Sequence, residues 1–125
     1  MAAIKSKNTK PEVKLRSLLH KNGFRFRLHQ KNLPGKPDIV LPKYKIAIFV
    51  NGCFWHGHDN CKHFRLPKTR TEWWSEKIGA TKIRDKQKSS KLIELGWTVI
   101  TVWQCESFEE AVSNIRLHSI NFVTK

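Results

Sequence analysis

The sequence predicts an α/β fold, a mixed sheet flanked by helices in the order α-β-β-β-α-β-α. Three observations carry that prediction. Two short apolar runs, Asp38-Ile39-Val40-Leu41 and Lys45 to Val50, flank a Pro42-Lys43 turn and read as a buried antiparallel hairpin. A third strand, Trp97 to Trp103, is reached only through a long helical segment, the connection that a parallel crossover requires. Two capping boxes, Thr9-x-x-Glu12 and Ser107-x-x-Glu110, open helices at either end of the chain.

Residues 1–8 are polar and basic and read as an arm. Pro11 stands just inside the first helix, Leu15, Leu18 and Leu19 form its apolar stripe, and Gly23 ends it. Phe24-Arg25-Phe26-Arg27-Leu28 alternates as an edge strand does, and 32–37 is a Pro/Gly loop. In the hairpin that follows, the start of the first strand faces the end of the second. Asp38 therefore belongs beside Val50-Asn51. After a basic loop over 62–71, Thr71 is the expected cap of a helix starting Glu72-Trp73-Trp74, interrupted near Gly79 and stopped at Gly96. Phe108, Ala111, Val112 and Ile115 give the last helix its buried face.

A chain of 125 residues supports one domain, here 1–125, with a single core. No apolar run approaches the ~20 residues of a membrane span, and Met1-Ala2-Ala3-Ile4-Lys5 lacks the apolar core of a signal peptide. Three cysteines cannot all pair, so with histidines nearby they read as metal ligands in a reducing compartment. The net charge of +14 is uneven: residues 1–45 carry twelve Lys/Arg against Glu12 and Asp38 alone. Such asymmetry favours a polyanion, nucleic acid first, over a merely solvated basic surface.

The chemistry concentrates between Asn51 and Cys61. Cys53-x4-His58-x2-Cys61 offers three ligands that a tight loop can gather around one ion, and Cys105 is the only further cysteine for a fourth position. His56 stands beside this cluster without being needed by it. It can serve as a base at neutral pH, as an alternative zinc ligand, or as a satisfied loop residue. Asp38 can hold Mg2+ through one oxygen or merely start a strand; its expected place beside the histidine-rich loop favours the metal. Glu12 reads first as a capping carboxylate, with support of that metal as the alternative. Asp85 lies among Arg84, Lys86 and Lys88 and reads first as an exposed ion-paired residue. His20, His29, His63 and His118 have no constellation around them. Phe54-Trp55 and Trp73-Trp74, set among lysines and arginines, are either core or surfaces for stacking on bases.

Five motifs carry a resemblance: Pro34-Gly35-Lys36-Pro37-Asp38, Gly52-Cys53-Phe54-Trp55-His56, Thr69-Arg70-Thr71-Glu72-Trp73-Trp74, Glu94-Leu95-Gly96-Trp97 and Val102-Trp103-Gln104-Cys105. In this order the chain resembles the very short patch repair (Vsr) DNA mismatch endonucleases over nearly its whole length. The resemblance implies a restriction-endonuclease-like core, a variant of the PD-(D/E)xK architecture. It implies nicking of duplex DNA 5′ to the thymine of a T:G mismatch, which starts repair of deaminated 5-methylcytosine. It assigns Asp38 and the Val50 carbonyl to catalytic Mg2+, His56 to the general base, and Glu12 and Asp85 to support. Cys53, His58, Cys61 and Cys105 become ligands of a structural Zn2+. Phe54, Trp55 and Trp74 become intercalating aromatics. A monomer acting on the bacterial nucleoid in the cytoplasm is implied as well.

Some features depart from the family pattern. Where the family has Thr-His-Gly-Cys, this chain has Val50-Asn51-Gly52-Cys53, so a phosphate-contacting histidine is replaced by an asparagine that donates a hydrogen bond but carries no charge. The acidic-x-Lys half of the wider superfamily is absent after Asp38. Members of the family extend upstream of the Met1-Ala2-Ala3-Ile4 motif in an arm that embraces DNA; that segment is missing here, which suggests truncation or a wrongly chosen start. Two other readings remain at this stage: a zinc-stabilised DNA-binding module without catalysis, and a related nuclease without mismatch preference. Asp38 and His56 argue against the first, and the aromatic set argues against the second.

Overall fold

The computed structural model describes residues 9–53, 56–58, 61 and 65–124, with the side chains of 121–124 excepted. Three helices and a four-stranded mixed sheet form in the expected order. The first helix, α1, runs Lys10–Lys21; the Thr9 hydroxyl accepts the Glu12 N–H at 3.4 Å, and Pro11 occupies the first turn. The edge strand β1 is shorter than its alternation predicts and spans only Arg27–Leu28. Its expected first residues are held elsewhere. The Phe24 N–H closes on the Leu19 carbonyl at 3.0 Å, and the Phe24 ring is buried in the core. The chain is thus tied to the end of α1 before it can enter a ladder.

Strands β2 (Ile39–Leu41) and β3 (Ile46–Asn51) form the antiparallel hairpin, joined by a 3-10 turn over Pro42–Tyr44. Strand β4 (Thr98–Trp103) lies parallel to β3, and the sheet order is β1-β2-β3-β4. The crossover is α2, Thr71–Glu94, a continuous helix of 24 residues. The expected interruption at Gly79 is absent: one glycine weakens a helix by only ~1 kcal/mol, and buried Ile78 and Leu92 anchor it on both sides. Thr71 does not cap it either. Arg70 takes the cap position in a left-handed conformation (φ 56°), and the Thr71 hydroxyl donates back to the Pro67 carbonyl at 2.8 Å. The last helix, α3, covers Phe108–Thr124, with the Ser107 hydroxyl accepting the Glu110 N–H at 3.4 Å.

Strand alternation divides the two faces of the sheet. Ile39, Leu41, Ile46, Ile48, Ile100 and Val102 point to one side and form a single core with Leu15 and Leu19 of α1 and Phe108, Val112 and Ile115 of α3. Phe49, Asn51 and Thr101 point to the other side, where they share a small cavity with Asp85, Lys88 and Ser89 of α2. The sheet is therefore sandwiched, with α1 and α3 on the apolar face and α2 on the face that carries the polar groups. Among the described residues no helix is long and apolar enough to cross a membrane.

Ile48 is fully buried at the centre of β3. Ile48→Ala is expected to destabilise the protein by about 2–5 kcal/mol in urea unfolding, the range for emptying a packed core position.

Candidate active site and metal centre

Pairing of β2 and β3 places Asp38, one residue before Ile39, against the far end of β3. The Val50 N–H donates to Asp38 Oδ2 at 2.8 Å. On the other side β1 delivers His29. Leu28 is in register with Ile39, and the His29 N–H donates to the Asp38 carbonyl at 3.2 Å. His29 leaves the strand in a left-handed conformation (φ 49°), and its Nε2 meets Oε1 of Glu12 from α1. Glu12 is 1% exposed, so its carboxylate is not the water-facing end of a capping box; it points inward. One donor atom from each of Glu12, His29 and Asp38 lies within 4.8 Å of the others. His29 was unremarkable in the sequence because its partners are 17 and 9 residues away and only strand pairing brings them together.

The loop after β3 carries the second histidine. The His56 N–H returns to the Gly52 carbonyl at 3.2 Å and the His58 N–H to Cys53 at 2.9 Å, so the chain coils tightly at the sheet rim. Gly57 (φ 60°) rests on α2, where an added Cβ would fall 2.6 Å from Ile78 Cγ2 and 2.5 Å from Lys82 Cε. This close approach needs glycine. Ile78, Lys82 and Asp85 repeat at helical spacing on one face of α2, so the contact that seats Gly57 also presents Asp85 to His56. His56 Nδ1–H donates to Asp85 Oδ2 at 2.7 Å. Asp85 is thus a partner of the imidazole rather than an exposed helix residue paired with its lysine and arginine neighbours. In the neutral tautomer that keeps its proton on Nδ1 for this contact, Nε2 is the acceptor of the ring.

Glu12, Asp38, Asn51, His56 and Asp85 line one cavity of about 500 Å³, together with Val50 and Lys88. Asn51 is 8% exposed, the last residue of β3, opposite Trp103. Burial pushes the Asp38 carboxyl up to about 6 from an ordinary 3.8; Glu12 adds to the rise, while the Val50 N–H and the two histidines oppose it.

The cysteine cluster forms at the same rim. The parallel register sets Asn51 opposite Trp103, and two residues beyond the end of each strand stand Cys53 and Cys105. Donor atoms of Cys53, His58, Cys61 and Cys105 all lie within 4.8 Å of one another. The Cys61–Cys105 sulfur separation is 3.7 Å, and Cys105 Sγ is 3.4 Å from His58 Nδ1. A tetrahedron with bonds of ~2.3 Å to sulfur and ~2.0 Å to nitrogen has edges of about that size. The His58 ring stacks on Trp103 at 4.1 Å and 6°, which fixes its plane. Burial, reinforced by hydrogen bonds that the Cys53 thiol donates to the sulfurs of Cys105 and Cys61, pushes that thiol up to about 12, so a metal entering the site must displace its proton.

Of the aromatic set, Phe54 and Trp55 lie outside the described residues. Trp74 is half-buried in the first turn of α2 and meets Trp73 edge to face at 4.8 Å and 87°. Trp73 is 44% exposed, with Arg70 and Lys77 stacked on its ring at 4.9 and 5.2 Å. The two tryptophans do not share one buried face.

Histidine-backed carboxylates around a cavity, on a chain of charge +14, are equipped for work on a phosphate backbone. The profile of the family described as DNA mismatch endonuclease Vsr matches residues 1–63. The type II nicking enzyme V.XorIIP of Xanthomonas oryzae pv. oryzae is 51% identical over 120 residues, 96% of this chain and 88% of that protein. The type II nicking enzyme V.NmeAIP of Neisseria meningitidis is 45% identical over 120 residues, 96% of this chain and 85% of its own. The DNA mismatch endonuclease Vsr of Escherichia coli is 49% identical over 105 residues, 84% of this chain and 67% of its own. The chain belongs to the Vsr family of DNA mismatch endonucleases, and so among the nucleases that hydrolyse DNA.

The raised Asp38 carboxyl has a thermodynamic signature. Folding favours its protonated form, so the stability it contributes is complete below 3.8 and is lost as pH rises through about 6. Asp38→Asn should abolish this loss, and without added divalent cation the mutant should gain up to about 3 kcal/mol on wild type between those pH values. Urea unfolding at several pH values measures it; parallel curves for the two proteins would remove the burial argument.

Proposed function

We propose that this protein nicks one strand of duplex DNA 5′ to the thymine of a T:G mismatch and so initiates repair of deaminated 5-methylcytosine. The observation that carries the reading is the His56–Asp85 pair, bordering the same cavity as Asp38 in a chain of this family. The names of its relatives, a DNA mismatch endonuclease and type II nicking enzymes, support the same activity. On this reading the sheet and helices are a restriction-endonuclease-like core, and 1–125 works as one domain, a monomer of the bacterial cytoplasm.

Asp85 holds His56 with Nδ1 protonated, and Nε2 takes a proton from the attacking water as its oxygen bonds to phosphorus. The phosphorus–oxygen bond to the leaving sugar breaks in the same displacement. Asp38 and the Val50 carbonyl would hold Mg2+, with Glu12 alongside; the oxygen donors converging from α1 and the head of β2 suit such a hard cation. When bound, that ion supplies electrophilic assistance at the phosphate. His29 orients Glu12 toward this position. Asn51 donates a hydrogen bond to a phosphate oxygen. Cys53, His58, Cys61 and Cys105 would hold a structural Zn2+, for which a set of three thiols and one imidazole in tetrahedral array is suited.

Lysines and arginines grip the duplex through its phosphates, while Phe54, Trp55 and Trp74 enter the base stack. Opening a step costs a few kcal/mol and less at a mispair, which favours the T:G site.

Two experiments test this reading. Strand-labelled duplexes carrying T:G or C:G are incubated with Mg2+ or with EDTA; only T:G with Mg2+ should be nicked. Asp38→Ala and His56→Ala should bind the T:G duplex yet nick it ~10²–10⁴-fold more slowly. Binding without any nicking by the wild-type protein would favour the non-catalytic DNA-binding reading instead. Elemental analysis of the purified protein should return one zinc per chain, and Cys105→Ser should lower both zinc content and thermal stability. A zinc-free, fully stable protein would remove the structural metal.

A further inference from the structure

Beside the acidic groups of the cavity stands a lysine to which the proposed mechanism assigns nothing. Lys88 follows Asp85 by three residues on α2 and so shares its face. It borders the main cavity with Asp38 and His56, and also the smaller one behind Asn51. Its stem is held rather than loose. Gly35 lies against it in a left-handed conformation (φ 76°), and a Cβ on Gly35 would fall 2.7 Å from both Cβ and Cγ of Lys88 and 2.9 Å from Cδ. The loop that leads into Asp38 therefore packs its backbone directly on this side chain, and only glycine leaves room for the stem. Neither of the ion pairs among the described residues involves Lys88, although it borders the same cavity as three carboxylates. Lys36 also borders the cavity, but it is exposed on the loop itself.

A cation so placed has a clear electrostatic use. The cavity carries the carboxylates of Glu12, Asp38 and Asp85, and a phosphodiester entering it brings a further negative charge that grows in the displacement. Asn51 can donate a hydrogen bond there but cannot offset charge. An ammonium on a clamped stem can do so with little reorganisation.

We propose that Lys88 is a catalytic residue for the nicking reaction, its ammonium contacting a non-bridging oxygen of the scissile phosphate, with Gly35 and α2 fixing its stem. This rests on the nuclease reading above and adds to it the group that offsets the phosphate's charge.

Lys88→Met is the informative variant, because methionine keeps an unbranched stem beside Gly35 and removes the charge. Single-turnover nicking of the T:G duplex with Mg2+ is expected to slow about 10²-fold in Lys88→Met, the effect of deleting one preorganised donor, and to stay within about tenfold of wild type in Lys88→Arg. A second arm reads contact without chemistry. In metal-free buffer, duplexes with a natural or a methylphosphonate linkage at the scissile position are compared by fluorescence anisotropy. Wild type should bind the methylphosphonate several-fold more weakly, and Lys88→Met should bind both alike. Nicking by Lys88→Met within threefold of wild type overturns the proposal and returns Lys88 to a solvated helix residue. So does a full methylphosphonate penalty in that variant. Should Lys88→Met melt early, the wild-type comparison still decides, since the absence of any methylphosphonate penalty there also overturns the contact. Wild-type protein that binds T:G but does not nick it sinks the nuclease reading itself, a result distinct from any of these.

Discussion

The hydrogen-bond ladder of β3 runs antiparallel to β2 on one side and parallel to β4 on the other. The antiparallel partner returns the chain so that the residue before β2, Asp38, meets Val50 near the end of β3. The parallel partner carries two strand ends to the same rim, and with them Cys53 and Cys105. A shift of either register by one residue would turn Asp38 or the cysteine pair to the wrong face of the sheet. The apolar side chains that fix these registers, Ile39, Ile46, Ile48 and Ile100, are buried on the opposite face from Asn51. The site is therefore held largely by packing on the far face of the sheet, which leaves its polar groups to be chosen for chemistry.

Local chemistry made part of this legible from the amino-acid order. The hairpin, the helix caps at Thr9 and Ser107, and the parallel crossover all follow from short patterns, and the hairpin alone places Asp38. The cysteine and histidine spacing likewise announces a cluster before any strand is paired. What escaped was set by long-range packing. The inward turn of Glu12 depends on a histidine 17 residues away at the end of a strand only two residues long. Asp85 is surrounded in sequence by basic residues, yet its partner comes from a loop 29 positions earlier. Gly79 looked like a break because propensity is local, whereas the burial of Ile78 and Leu92 that overrides it is not.

The electrostatics invert between surface and cavity. The chain as a whole carries +14, but the cavity is lined by carboxylates, two of them answered by histidines and one by the backbone. Glu12 meets His29, Asp85 meets His56, and Asp38 has a backbone N–H as its hydrogen-bond partner. Burial pushes the Asp38 carboxyl well up, and a cation is the natural means of relieving it. A basic exterior that draws in a polyanion and an acidic interior that would repel it are reconciled only by positive charge at the point where they meet.

The unbroken course of α2 has a geometrical consequence. Trp74 stands in its first turn and Asp85 eleven residues later, a span of about 16 Å at ~1.5 Å per residue. A continuous helix has no joint at which this interval can be adjusted. One inserted or deleted residue between the two would swing everything beyond it by ~100° and carry Asp85 away from His56. The helix is thus a ruler, and in any homologue that keeps both ends of it, the number of residues between them should be immune to change even where their identities are not.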